Sequence, residues 1–97
     1  MSSPKLNDYP VTLRCNLGTD ISAATVKKIN LKKPSGTIVQ KDAVFTTDGT
    51  DGLIEYDTAS TDLNNAGTWL IEPYVKGASF EYYGKSQTFT VDSRIGS

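Results

Sequence analysis

The apolar residues of this chain recur with a period of two along almost its whole length, and that spacing restricts the fold more than any other feature. Val11, Leu13, Cys15 and Leu17 alternate with Thr12, Arg14 and Asn16. Such spacing gives an extended strand one apolar face and gives a helix none. The alternation returns between Thr25 and Lys33, where Ile29 and Leu31 share a face. Val26 has the opposite parity, which predicts a bulge near Lys27-Lys28 or a strand covered on both sides there. A third strand from Thr37 to about Thr46 holds Ile38, Val39, Val44 and Phe45 around the polar Gln40-Lys41-Asp42, so it is broken or lies at an edge. Leu53 to Asp57 sets Ile54 and Tyr56 on one side, and Thr68 to Val75 does the same with Trp69, Ile71 and Val75. A last arm, Phe80 to Val91, kinks at Gly84 and brings Phe89 and Val91 inward.

Turn chemistry falls between these runs. Gly18-Thr19-Asp20 ends the first. Lys33-Pro34-Ser35-Gly36 fits a type I turn, with proline at its second position and glycine at its fourth. Asp48-Gly49-Thr50-Asp51-Gly52 contains two Asp-Gly pairs, a strong hairpin signal. Ser60-Thr61-Asp62-Leu63 predicts a capped single helical turn that drops Leu63 inward. Pro73 has no N–H for a ladder, so it belongs at an edge, a bulge or an unpaired position.

About seven short strands with turns every 8–12 residues, and no helix beyond one turn, predict an all-β protein. At 97 residues the chain is one domain, residues 1–97, with ends fraying over about 1–5 and 92–97. That size favours an antiparallel β-sandwich over a small barrel. Sixteen side chains are expected inside: Val11, Leu13, Cys15, Leu17, Ile29, Leu31, Val39, Val44, Ile54, Tyr56, Leu63, Trp69, Ile71, Val75, Phe89 and Val91.

The residue inventory then narrows the chemistry. There is no histidine and one cysteine, which removes intrachain disulfides, His- or Cys-based metal sites and His-assisted nucleophiles. A formal charge of -1 lacks the field of a nucleic-acid or anionic-membrane binder. No run approaches the roughly 20 apolar residues of a membrane span. Met1-Ser2-Ser3-Pro4-Lys5 is followed by no apolar signal-peptide core, and a lone thiol fits synthesis in a reducing cytoplasm.

Among carboxylates, Asp48, Asp51, Glu55, Asp57 and Asp62 cluster in sequence. A glycosidase needs two facing acids, and a calcium loop needs several oxygen ligands. Yet Asp48 and Asp51 occupy turns that favour aspartate for backbone reasons, EF-hand spacing is missing, and Glu55 and Asp57 should face water. No catalytic, metal or cofactor residue is therefore assigned. Lys27, Lys28, Lys32, Lys33 and Lys41 form the only basic concentration and read as a solvated face. Tyr74, Phe80, Tyr82 and Tyr83 form the candidate interaction surface, because outward aromatics on neighbouring strands make a platform for a protein or a sugar; the alternative is that they cover the sandwich's open end.

The segment Asn65-Ala66-Gly67-Thr68-Trp69-Leu70-Ile71 is similar to the entry into the sixth strand of immunoglobulin-like domains. Trp69 stands where that family has an aromatic corner residue, and its indole N–H could replace the usual hydroxyl. Ile71 takes the place of the second core cysteine, and Ile29 or Leu31 would take that of the first. The order Lys33-Pro34-Ser35-Gly36-Thr37, Gly52-Leu53-Ile54-Glu55-Tyr56, Asp62 to Trp69, then Gln87-Thr88-Phe89-Thr90-Val91 resembles immunoglobulin-like domains of tailed-bacteriophage virion proteins. It is most similar to the N-terminal domain of phage baseplate upper proteins and related tail modules, from about Leu13 to Val91. The resemblance implies a non-enzymatic, multi-copy structural role in a tail, baseplate or capsid decoration. Its partners would be other virion proteins, without cofactor, nucleic acid or membrane. The alternative expectation is a cell-surface or host-receptor adhesion module that recognises glycan.

Overall fold

The computed structural model describes residues 4–94. Among the described residues eight strands follow one another: β1 (Thr12–Asn16), β2 (Val26–Lys32), β3 (Ile38–Asp42), β4 (Val44–Phe45), β5 (Leu53–Asp57), β6 (Gly67–Lys76), β7 (Glu81–Tyr83) and β8 (Gln87–Val91). They form two antiparallel sheets. The smaller has the order β1-β5-β4; the larger has β3-β2-β6 with β7 and β8 both paired to the far side of β6. β1 faces β6 and β5 faces β2 across the interior. The result is an all-β sandwich: the period of two gives the strands, and the two packed sheets give the layers.

The core lies between the layers. Ile29, Ile54, Leu63, Trp69 and Val75 are fully buried, with Leu13, Cys15, Leu31, Ile71 and Val91 nearly so. Val11, Leu17, Val39, Tyr56 and Phe89 pack against them half-buried. Val44 is a correction: it is 61% exposed. The third strand does not run unbroken from Thr37 to Thr46. It crosses from the larger sheet to the smaller at Ala43, whose N–H still bonds the Lys27 carbonyl at 2.9 Å while Val44 already pairs with Glu55. Ala43 takes the core position and Val44 is turned outward. Ile21 and Ala24, in the β1–β2 connection, also enter the core; their loop has no alternation to announce them.

Val26 needs no bulge. The β2 register with β6 runs unbroken from Val26↔Lys76 to Lys32↔Leu70. The inward row is Lys27, Ile29 and Leu31, and Lys27 keeps its parity by laying its ammonium 4.4 Å from the Phe45 ring centroid. Pro73 sits within the central strand, in register with Ile29 of β2 and opposite a bulge in the arm. Its carbonyl accepts from the Gly84 N–H at 2.9 Å, so its nitrogen faces the same side, in the gap between β7 and β8. Across that gap β7 pairs as Tyr74↔Tyr83 while β8 pairs as Ile71↔Gln87. Four steps on the arm therefore span three on β6, which is a one-residue bulge. Gly84 lies in this bulge, where a side chain has no room: a Cβ there would lie 2.5 Å from Pro73 Cγ.

The turns follow their local chemistry, with one exception. Gly36 N–H bonds Lys33 O at 2.8 Å with φ 94°, a type I turn closed by a left-handed glycine. Residues 59–62 are not a helical turn. Asp62 N–H bonds Ala59 O at 3.1 Å and Thr61 has φ 71°, the signature of a type II turn, which the Asp62 carboxylate closes by accepting the Ala59 N–H. Leu63 does drop inward.

The chain ends are tied where fraying was expected. Lys5 bridges Asp92 in parallel, Asp92 N–H bonds Pro4 O, and Arg94 meets Asp8 at 3.3 Å. The remainder of that expectation, residues 1–3 and 95–97, lies outside the described residues. The cysteine equivalence also changes. Leu31 and Ile71 are in-register neighbours within one sheet, so Ile29 and Leu31 cannot be the cross-layer partners of Ile71. The strand facing β6 is β1, which carries Leu13 and Cys15.

Candidate interaction surface

Strand register decides where each expected aromatic points, because residues opposite each other in a ladder share a face. Tyr74 pairs with Tyr83, and their rings lie 4.8 Å apart on the outer face of the larger sheet. Tyr74 also donates its hydroxyl to Glu81 at 2.5 Å. That bond, with some burial and the nearby negative charge, pushes the Tyr74 pKa up to about 12. Tyr82 pairs instead with Val75, which is fully buried, so Tyr82 is on the inward parity. It stacks on Phe80 at 5.2 Å. The four aromatics are thus two pairs on opposite faces, not one platform. The reason is elementary: Tyr82 and Tyr83 are consecutive on a strand.

Three rows cross the middle of the larger sheet's outer face. Ile38, Lys32, Leu70 and Thr88 form the first; Gln40, Asn30 and Glu72 the second; Asp42, Lys28, Tyr74 and Tyr83 the third. Ile38 is 68% exposed and Tyr83 62%, with Leu70 also open to solvent. Between the first two rows is a shallow depression of about 340 Å³, lined by Ile38, Lys32, Leu70, Glu72 and Ser86 among others. The polar members mostly satisfy one another: Gln40 donates to Asn30 at 2.9 Å, Ser86 to Glu72 at 3.1 Å, and Lys28 to Asp42. Ile38 and Leu70 were missed by sequence reasoning. Leu70 has the outward parity between Trp69 and Ile71, and that parity is the signal that could have marked it.

The lysines do not form one face. Lys27 covers Phe45, Lys28 meets Asp42, Lys33 donates to Asn64 at 2.9 Å, Lys41 reaches Asp62 at 3.1 Å, and Lys32 is exposed on the outer face. The carboxylates are similarly engaged. Asp48 accepts the Thr50 hydroxyl and N–H, which holds its pKa below the ordinary value, and Asp51 accepts the Leu53 N–H at 3.0 Å. Glu55 pairs with Arg14 at 3.0 Å and Asp57 accepts from Thr12 at 2.7 Å. Asp62 accepts from Tyr56, Ala59 and Lys41. Each acid serves a turn or a neighbouring strand.

Comparison with protein-family models gives no match, and comparison with curated proteins gives none either. The site's chemistry therefore rests on its own residues. They offer apolar and aromatic contact area on a rigid sheet, framed by satisfied polar groups, which suits docking of another surface.

Proposed function

We propose that this protein is a non-enzymatic structural module of a tailed-phage virion, a tail or baseplate component or capsid decoration held in many copies by protein–protein contacts. The observation that carries the docking part is the outer face of the larger sheet, where Ile38, Leu70 and Tyr83 stand exposed on a rigid, otherwise polar surface. Large apolar side chains grouped on one solvent face favour a partner surface. The virion part rests on the resemblance described above. Two structural details support its immunoglobulin-like element. The orders β1-β5-β4 and β3-β2-β6-β8 correspond to strands B-E-D facing C′-C-F-G of that architecture. The Trp69 indole donates to the Asn65 carbonyl four residues upstream, as a corner residue would.

The test is incorporation. Purified virions should contain the chain in multiple copies, and Leu70→Lys combined with Ile38→Lys should abolish incorporation without lowering the thermal midpoint. Virions that lack the chain would overturn the reading.

One observation favours a second reading, a glycan-binding adhesion module: Tyr74 and Tyr83 are paired on the outer face beside the Glu81 carboxylate. Aromatic faces with an adjacent acceptor suit a sugar ring. A glycan array would give binding that falls on Tyr83→Ala; a flat array ends this reading.

A further inference from the structure

The two layers are unequal in width, and the mismatch leaves one strand position empty among the described residues. β1 faces β6 and β5 faces β2, so β7 and β8 lie one strand beyond β1 with no strand of the smaller sheet above them. The side chains on their inward parity show the consequence. Tyr82 is 45% exposed although it pairs with fully buried Val75, and Phe89 is only half-buried although it stacks on Trp69 at 5.8 Å. The gap runs alongside β1 and is bounded at one end by Leu17, which reaches to Gly84 on the arm, and at the other by Pro4 to Leu6, which bond Asp92 just past β8.

β1 also has a free backbone edge facing this gap. Thr58 N–H bonds Val11 O at 3.0 Å and Leu17 N–H bonds Gly52 O at 2.8 Å. Antiparallel pairing alternates, so Val11, Leu13, Cys15 and Leu17 turn their backbone groups to β5 while Thr12, Arg14 and Asn16 turn theirs away. β1 has no second neighbour among the described residues. An edge with a row of unpaired donors and acceptors is a template for another strand.

The geometry points to a docking site for an extended segment of a different protein, added to β1 as a fourth strand of the smaller sheet and covering Phe89 and Tyr82. The segment's chemistry follows from what surrounds the vacancy. Its inward residues meet apolar and aromatic side chains, so they are apolar. Its outward residue opposite Arg14 is acidic, because Arg14 is half-exposed and holds a single carboxylate partner among the described residues, Glu55. A second copy of β1 is disfavoured by the same residue: antiparallel pairing centred on this edge would set Arg14 opposite Arg14. The inference deepens the proposed function by giving the form of a partner, and rests on it only for that partner being a protein.

The probe is a synthetic nine-residue peptide alternating Thr and Val about a central Glu, titrated into the full chain and followed by amide NMR. The alternation itself is the readout. Amide protons of Thr12, Arg14 and Asn16 should gain exchange protection, those of Leu13 and Cys15 should not change, and Phe89 and Tyr82 ring signals should shift. Arg14→Pro removes the outward N–H, which an edge strand tolerates, together with the guanidinium facing the peptide's Glu, and should weaken the peptide roughly tenfold or more. Arg14→Glu keeps the backbone, so it should reject the Glu-centred peptide and accept a Lys-centred one. Unchanged Thr12, Arg14 and Asn16 amides at saturating peptide overturn the site. Shifts confined to Leu70 and Tyr83 also overturn it, while leaving outer-face docking intact.

Discussion

Trp69 and Asn65 are joined by a hydrogen bond from the indole Nε1 to the backbone carbonyl, 2.9 Å long, at the point where the chain enters β6. The indole itself is fully buried and stacks on Phe89, so one side chain fills the core and fixes the approach of the strand. Trp69→Ala should therefore cost about 3–5 kcal/mol, the most of any single truncation. Trp69→Phe keeps an aromatic ring but strands the Asn65 carbonyl, at about 1–3 kcal/mol. Denaturant midpoints of the three proteins check both; equal midpoints would remove the indole from the core.

Asp62 gives the fold an acid-sensitive joint. Burial works to raise its pKa, but hydrogen bonds from Tyr56, Ala59 and Lys41 outweigh burial and hold it below the ordinary 3.8. A carboxylate with a lowered folded-state pKa stabilises the fold fully above its unfolded value and loses that contribution as pH falls through the folded one. Asp62→Asn should thus melt earlier than the parent at neutral pH, and the gap should close in acid below about pH 4. Thermal melts across pH 2–7 measure this; a gap independent of pH would refute it.

Gly84→Ala should destabilise by about 1–3 kcal/mol, because the new methyl meets the Pro73 ring and neither the proline nor the bulged arm has slack to move. Ala in place of exposed Ser86, two residues on, should stay within about 0.5 kcal/mol. Urea unfolding of the pair separates the two effects.

Cys15 should resist thiol reagents while the protein is folded. Burial raises its pKa to about 11, so at pH 8 it is a protonated thiol shielded by the core. A colourimetric disulfide reagent should label it only as fast as the protein unfolds, and added urea should accelerate labelling in step with the unfolded fraction. Prompt labelling in native buffer would contradict the burial.

Much of the architecture was legible because alternation is a direct imprint of the pleat. Trp69, Ile71 and Val75 could be assigned inward from spacing alone, and Lys33 to Gly36 could be assigned a turn from φ preferences. What spacing could not convey was where a strand changes layer. Val44 has the opposite parity to Val39, so the inward row runs Val39, Lys41, Ala43 and Phe45 straight through the crossing and Val44 stays outward. The arm after Gly77 hid a one-residue register shift, which only pairing with β6 reveals. The candidate surface was half legible for the same reason. Tyr74 and Tyr83 emerged together, but Tyr82 went to the opposite face, and Ile38 and Leu70 looked like ordinary strand residues until their rows were aligned.

The single residue between β3 and β4 has a mechanical consequence. With only Ala43 linking them, tension on one layer passes straight along the backbone into the other, and no slack loop absorbs it. Peeling β3 from β2 must drag β4 off β5, so the sandwich should rupture as a unit under load. A load-bearing position in a larger assembly would make use of that all-or-nothing failure.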